Sequence, residues 1–153
     1  MIFSGTTEYA IRGLAELALA GEGKRVLLDE LVAGTTLPRD FMAKVFQRLA
    51  KGGILHSAKG RGGGFSLSRD AATITLMDIV VALEGRQIYD RCVVGLEKCN
   101  DAMPCPQHDL YKPMRQRWNE YLNTTTLADL ASTLKAKKAY LLQPASPATV
   151  EGR

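Results

Sequence analysis

The chain has 153 residues, 46% hydrophobic and 24% charged. That suits one globular domain with a real core, or a small domain with an interaction arm. Its apolar runs fall far short of the roughly 20 residues that span a bilayer. The N-terminal stretch carries Glu8, Arg12 and Glu16 through its apolar pattern, which reads as a helix of the mature fold rather than a signal peptide and makes the cytoplasm the expected location. The net charge is only +4, but its distribution is uneven. Seven cations (Arg39, Lys44, Arg48, Lys51, Lys59, Arg61 and Arg69) face a single acid, Asp40, between residues 39 and 69. Such an excess suits a polyanion.

In chain order, Ile11, Leu14, Ala15, Leu17 and Ala18 form a helical stripe over 6–20, ended by Gly21. A short helix fits 28–33 and stops at Gly34. A third starts near Pro38, a residue tolerated in a first helical turn. It carries Phe41, Met42, Val45 and Leu49 on one side and Arg39, Lys44, Arg48 and Lys51 elsewhere, and stops at Gly52-Gly53. Two short helices with a tight turn, the second basic, make a helix-turn-helix pattern. Ile54-Leu55 and Phe65-x-Leu67 read as two strands around Lys59-Gly60-Arg61-Gly62-Gly63-Gly64. Glycines there permit positive φ, and the two cations point out from a hairpin tip. A hairpin behind a helix-turn-helix is a winged helix.

Thr75-x-x-Asp78 makes a capping box for a helix with Leu76, Ile79, Val80 and Leu83 on one face, ended by Gly85. A longer helix runs from about 109 to 122, with Leu110, Met114, Trp118 and Leu122 at spacings of four. Thr126-x-x-Asp129 caps a last helix, and the Pro-, Ala- and Ser-rich tail over 141–153 reads as disordered. The expected fold class is mainly α with a small β-hairpin wing. It divides into a winged helix-turn-helix (1–85), a cysteine-rich loop (86–108), and a long dimerisation helix with a short final helix (109–140). Trp118 needs a surface to bury against, and a partner subunit supplies one, because helix-turn-helix proteins commonly bind pseudo-palindromic duplex DNA as twofold dimers.

All three cysteines, Cys92, Cys99 and Cys105, lie in that loop, with His108 just beyond. Thiolate and imidazole donors crowded together suit a transition metal or an iron–sulfur cluster. Reduced thiols in the cytoplasm, and an odd count, argue against a disulfide framework. Zinc with His108 and a cluster-free thiol switch remain alternatives, although structural zinc usually shows a C-x2-4-C pair that is absent. His56 reads as structural. The Gly-rich run lacks a following GK[ST] and sits in a hairpin, not a phosphate loop. No paired acids, nucleophile with its base, or cofactor fingerprint marks an enzyme. An iron–sulfur electron carrier would leave the basic helix and wing unexplained.

Taken together, YAIRGLAELAL, the run LPRDFMAKVFQRLAKGGILHSAKGRGGGFSLSRDAATITLMDIVVALEG, C-x6-C-x5-C-P-x-H and LYKPMRQRW resemble the Rrf2 winged-helix regulators over about residues 1–138. The resemblance implies a homodimeric repressor or activator, with repressor preferred, crossed along its long C-terminal helix and holding one cluster per subunit. Cys92, Cys99 and Cys105 would be thiolate ligands. His108 matches the histidine of one branch. Glu8, reaching across from the partner, matches a carboxylate position in others. His108 is preferred, and a 2Fe-2S cluster ahead of a 4Fe-4S one. The signal would be cluster supply, iron, redox state or nitric oxide. The chain departs from the family in three places. The Cys92–Cys99 spacing holds one extra residue, Ala43 stands where one branch has an operator-discriminating acid, and Pro38 replaces a usual Ser cap. For DNA, Arg39 and Lys44 are expected at bases or phosphates, Arg48 and Lys51 at phosphates, and Lys59, Gly60 and Arg61 at the wing tip.

Overall fold

The computed structural model describes residues 3–86, 92–96 and 99–141. Six α-helices and one hairpin are present among them: α1 (Gly5–Leu19), α2 (Leu28–Val32), α3 (Arg39–Lys51), β1 (Leu55–Ala58), β2 (Gly64–Leu67), α4 (Leu76–Glu84), α5 (His108–Thr124) and α6 (Leu127–Leu141). Leu141 closes α6. The rest of the tail expected to be disordered, 142–153, lies outside the described residues, as do 87–91 and 97–98 of the cysteine loop.

The expected winged helix is there. Met42, Val45, Phe46 and Leu49 are the buried residues of α3, at i, i+3, i+4 and i+7, a single helical face. Phe41 differs from the expected stripe. It lies off that face, 37% exposed, and packs edge-on against Tyr9 of α1 at 5.4 Å. Phe46 takes the core place and meets Phe65 of the wing edge-on at 5.2 Å. α1 crosses α3 closely at Gly13, where any side chain would run into Met42 and Phe46.

In the wing, Leu55 pairs with Leu67 and Ala58 with Gly64, antiparallel. The first strand therefore begins one residue later than expected, and Ile54 sits in the core ahead of it, 2% exposed. Val26 adds an isolated bridge to Phe65, with both N–H···O=C bonds at 2.9 Å. Gly64 makes that bridge possible. Its φ is +119°, and a Cβ there would collide with the Val26 carbonyl.

α4 and α6 begin side by side. Each is closed by a Thr/Asp capping box, Thr75–Asp78 and Thr126–Asp129. The two caps bond to each other's strands of chain, Leu76 N–H to Thr125 O at 3.0 Å and Leu127 N–H to Ile74 O at 2.8 Å. Leu122 and Leu127 are fully buried in the same core as α1, α3 and α4. The end of α5 and α6 thus share the core of the winged helix. Leu122 leaves the stripe it was grouped with. Residues four apart drift by ~40° per step on a helix, or about 120° from Leu110 to Leu122. Leu110 and Met114 are exposed while Leu122 is 0% exposed.

The C-terminal turn of α4 ties three elements together. The Arg48 guanidinium of α3 donates to the Leu83 carbonyl, and the Ser4 and Thr7 hydroxyls of α1 donate to the Glu84 carboxylate. Burial pushes the Glu84 pKa up. The Ser4 and Thr7 hydroxyls, the Ser4 N–H and Arg48 together outweigh that and hold it below its ordinary value of 4.5. A depressed carboxylate stabilises the fold above its unfolded pKa, and the contribution is lost as pH falls through the folded value. Urea unfolding of Glu84→Gln should therefore show a loss near pH 7 that shrinks below pH ~4. Gly64→Ala should cost about 1–3 kcal/mol, the range for a strained backbone, and more than Gly62→Ala, which has positive φ but open surroundings. Equal losses in the two variants would contradict the Val26 bridge as the reason for glycine.

Candidate DNA-binding face and thiol site

Two groups of predicted residues occupy separate places. On α3, Lys44 and Lys51 are exposed. Arg39 is bound in an ion pair with Asp29 of α2 and a second at 3.2 Å with Asp40. The pair holds Asp29 below its usual carboxylate range and raises Arg39. Both partners are exposed, so the pair itself adds little stability. It does set where the guanidinium points. Arg48, expected at phosphates, spends one N–H on the Leu83 carbonyl. At the wing tip Lys59, Gly60 and Arg61 are exposed, and the turn closes through Gly63 N–H to Gly60 O at 2.9 Å, with φ of +81° at Gly60 and +72° at Gly62. Arg25, not singled out from the sequence, donates to the Gly62 carbonyl at 3.3 Å and adds a third cation to the wing. The available signal was its place beside Val26, the residue that pairs with β2.

The thiols gather where α4 hands over to α5. Cys92 is buried, and Cys99 and Cys105 are half-buried. The Cys92 thiol is made more acidic than usual, chiefly by the Val94 N–H, against burial, with further help from the Leu96 N–H and from Cys105 and Cys99. Cys92 is thus in reach of both other cysteines. Cys99 Sγ lies 3.4 Å from His108 Nδ1, and the His108 N–H bonds to the Cys105 carbonyl at 2.9 Å. His108 is 5% exposed, and its Nε2 is 2.8 Å from Asp101 Oδ1. Asp101 Oδ2 meets Lys112 Nζ at 2.8 Å. Lys112 first, then His108, holds the Asp101 carboxyl below its usual range. Asp101 and Lys112 are contacts that ligand spacing could not reveal.

The structure therefore brings the four expected donors, Cys92, Cys99, Cys105 and His108, into one patch. Glu8 is exposed on α1 and makes no hydrogen bond to them among the described residues. Soft thiols with one imidazole fit an iron–sulfur cluster or zinc. Among the described residues no three His, Cys, Asp or Glu side chains are already set as a metal cage. Around the thiols, Val93, Val94, Leu96 and Met103 are 51–83% exposed. Leu110 and Met114 continue this apolar surface along α5 into a groove of about 470 Å³ lined by Phe3, Met114, Arg117, Trp118 and Tyr121. His56 stands on β1, exposed, opposite Ser66, away from the thiol patch.

Fold and site define a winged-helix transcriptional regulator carrying a cysteine site. The Rrf2 family, described as an iron-dependent transcriptional regulator, matches residues 3–133, and the chain belongs to it. An HTH-type transcriptional regulator of Aquifex aeolicus is 35% identical over 132 residues, covering 85% of this chain and 91% of that one. The HTH-type transcriptional regulator IscR of Yersinia pseudotuberculosis is 29% identical, covering 81% and 75%. CymR of Bacillus subtilis, a global cysteine regulator, superposes with a TM-score of 0.72 at 24% identity over 86% of this chain and 96% of that one. The expectation of a winged-helix Rrf2 fold is met. No helix among the described residues is long and apolar enough to cross a membrane.

If the wing tip touches phosphates, Lys59→Ala and Arg61→Ala should each weaken binding to duplex DNA and flatten the slope of log K against log[salt] by about 0.9. Fluorescence anisotropy across a salt series reads this. An unchanged slope would remove those side chains from the interface.

Proposed function

We propose that this chain is a DNA-binding transcriptional regulator whose grip on its operator depends on an iron–sulfur cluster held by Cys92, Cys99, Cys105 and His108. The observation that carries this reading is the gathering of all three thiols and a buried imidazole in one patch between α4, which contacts both α1 and α3, and α5. The family's iron dependence and the similarity to IscR support it. When bound, the cluster would supply redox- and nitric-oxide-sensitive chemistry. The chain's own part is to present the donors, order the loop 86–108, and set the start of α5 against the DNA-binding core. Signal acts only through the free-energy difference it makes between DNA-binding states.

The working form is a homodimer. Leu110, Met114 and Tyr121 of α5 are 70%, 58% and 42% exposed, an apolar face beside a half-buried Trp118 that a second copy of the helix would cover. The two recognition helices would then meet a pseudo-palindromic site. The protein acts in the cytoplasm and is not an enzyme.

A second reading has its own observation. Cys92 lies near the other two cysteines, and the Val94 N–H makes it more acidic than an ordinary thiol, which suits a cluster-free thiol switch. CymR of Staphylococcus aureus, 26% identical with a TM-score of 0.63 over 84% of this chain and 96% of its own, has also been solved in an oxidised form.

The two readings separate on anaerobic purification with iron and sulfide counted per chain. Near-equal iron and sulfide with visible absorption is the expected result, and two irons per chain would mark 2Fe-2S. Cys92→Ala, Cys99→Ala and Cys105→Ala should each abolish it while keeping the helical circular dichroism. His108→Ala should lose the cluster and Glu8→Ala should keep it. A colourless wild-type chain that still binds DNA would favour the thiol switch.

A further inference from the structure

The imidazole of His108 is gripped from the side away from the thiols. Its Nε2 lies 2.8 Å from Asp101 Oδ1, and Asp101 Oδ2 lies 2.8 Å from Lys112 Nζ. His108 and Lys112 stand four residues apart in α5, so their side chains project from one face of the helix. Asp101, in the loop ahead of the helix, bridges the two. A carboxylate at neutral pH has no proton to donate, and a neutral imidazole carries one on either nitrogen. Facing Asp101, Nε2 must be the donor. That leaves Nδ1 directed at Cys99 Sγ, 3.4 Å away.

We infer that Asp101, clamped by Lys112, is a positioning residue that fixes the His108 ring with Nε2–H on the carboxylate and Nδ1 presented to the thiols. The ring orientation is a property of the chain alone. The role of Nδ1 as the ligating nitrogen rests on the cluster reading above. Ligating histidines commonly donate their other N–H to a carboxylate, and loss of that partner costs about 10–100-fold in metal affinity. A loop-to-helix ion pair with no bearing on the ring would be the plainer role. Asp101 is 70% exposed, so such a pair would add little stability. The buried partner in the bridge is the imidazole, not the lysine, since His108 is 6% exposed and Lys112 36%.

The test starts with the full chain, metal-free and labelled with ¹⁵N-histidine. The His108 Nε2–H should give a proton signal protected from water, absent for exposed His56. Asp101→Ala should lose it, and Asp101→Asn should keep it, because an amide oxygen can accept the same bond. Lys112→Ala leaves the carboxylate in place and should only broaden it. No protected signal in wild type, or its survival in Asp101→Ala, overturns the orientation. The same proteins are then reconstituted anaerobically with iron and sulfide. Histidine labelled at Nδ1 alone should give the strong hyperfine coupling in the reduced cluster. A chelator should strip Asp101→Ala at least ~10-fold faster than wild type. Coupling from Nε2, or equal stripping rates, overturns the ligand assignment. If wild type takes up no cluster, the proposed function falls and the Nε2–H signal alone decides whether Asp101 orients the ring.

Discussion

The architecture hinges on the last turn of α4. A helix C-terminus leaves carbonyls without intrahelical partners, and here the recognition helix supplies a guanidinium to one of them, Leu83 O. The next residue, Glu84, takes the Ser4 and Thr7 hydroxyls that start α1. Gly85 then releases the chain at φ +81°. The cysteine loop thus departs from a turn that is bonded to both α3 and the start of α1. At its other end the loop runs into α5, whose last turns are buried through Leu122. A change in the loop is applied at both ends to elements that share one core. That core is closely packed at Gly13 between α1 and α3, and close-packed interiors are of low compressibility and transmit strain.

The site follows the same economy. Backbone N–H groups of Val94 and Leu96 and the neighbouring thiols favour the Cys92 thiolate, while a carboxylate behind His108 holds the ring. Both arrangements would favour soft donors if the proposed cluster binds. They also suit thiol oxidation.

Much of this was legible in the sequence because the relevant forces are local. Helical apolar periodicity placed α1, α3 and α4, Thr/Asp boxes placed the starts of α4 and α6, and glycines placed the wing tip. Four-residue spacing misled at Leu122, since drift around the helix turns it from the exposed face of Leu110 into the core. Phe41 was grouped with the core for a related reason: it stands one position before Met42, on the edge of the buried face that Phe46 fills. The thiol and imidazole donors could be named from residue type, and the structure gathers them. Their supports could not be named. Arg25, Glu84, Asp101 and Lys112 act through contacts set by tertiary folding, and nothing in their spacing distinguishes them from solvated surface charges. The pairing of Arg39 with Asp29 escaped for the same reason.

The central claim is that the state of the cysteine loop sets the grip on DNA. The most direct measurement is the affinity of the full chain for its operator at one fixed salt concentration, cluster-loaded and cluster-stripped, with iron and sulfide counted on the same samples. The account predicts affinities that differ by about tenfold or more, equivalent to at least ~1.4 kcal/mol between the two states, and a Cys92→Ala chain locked at the stripped value. Equal affinities in loaded and stripped protein would contradict it.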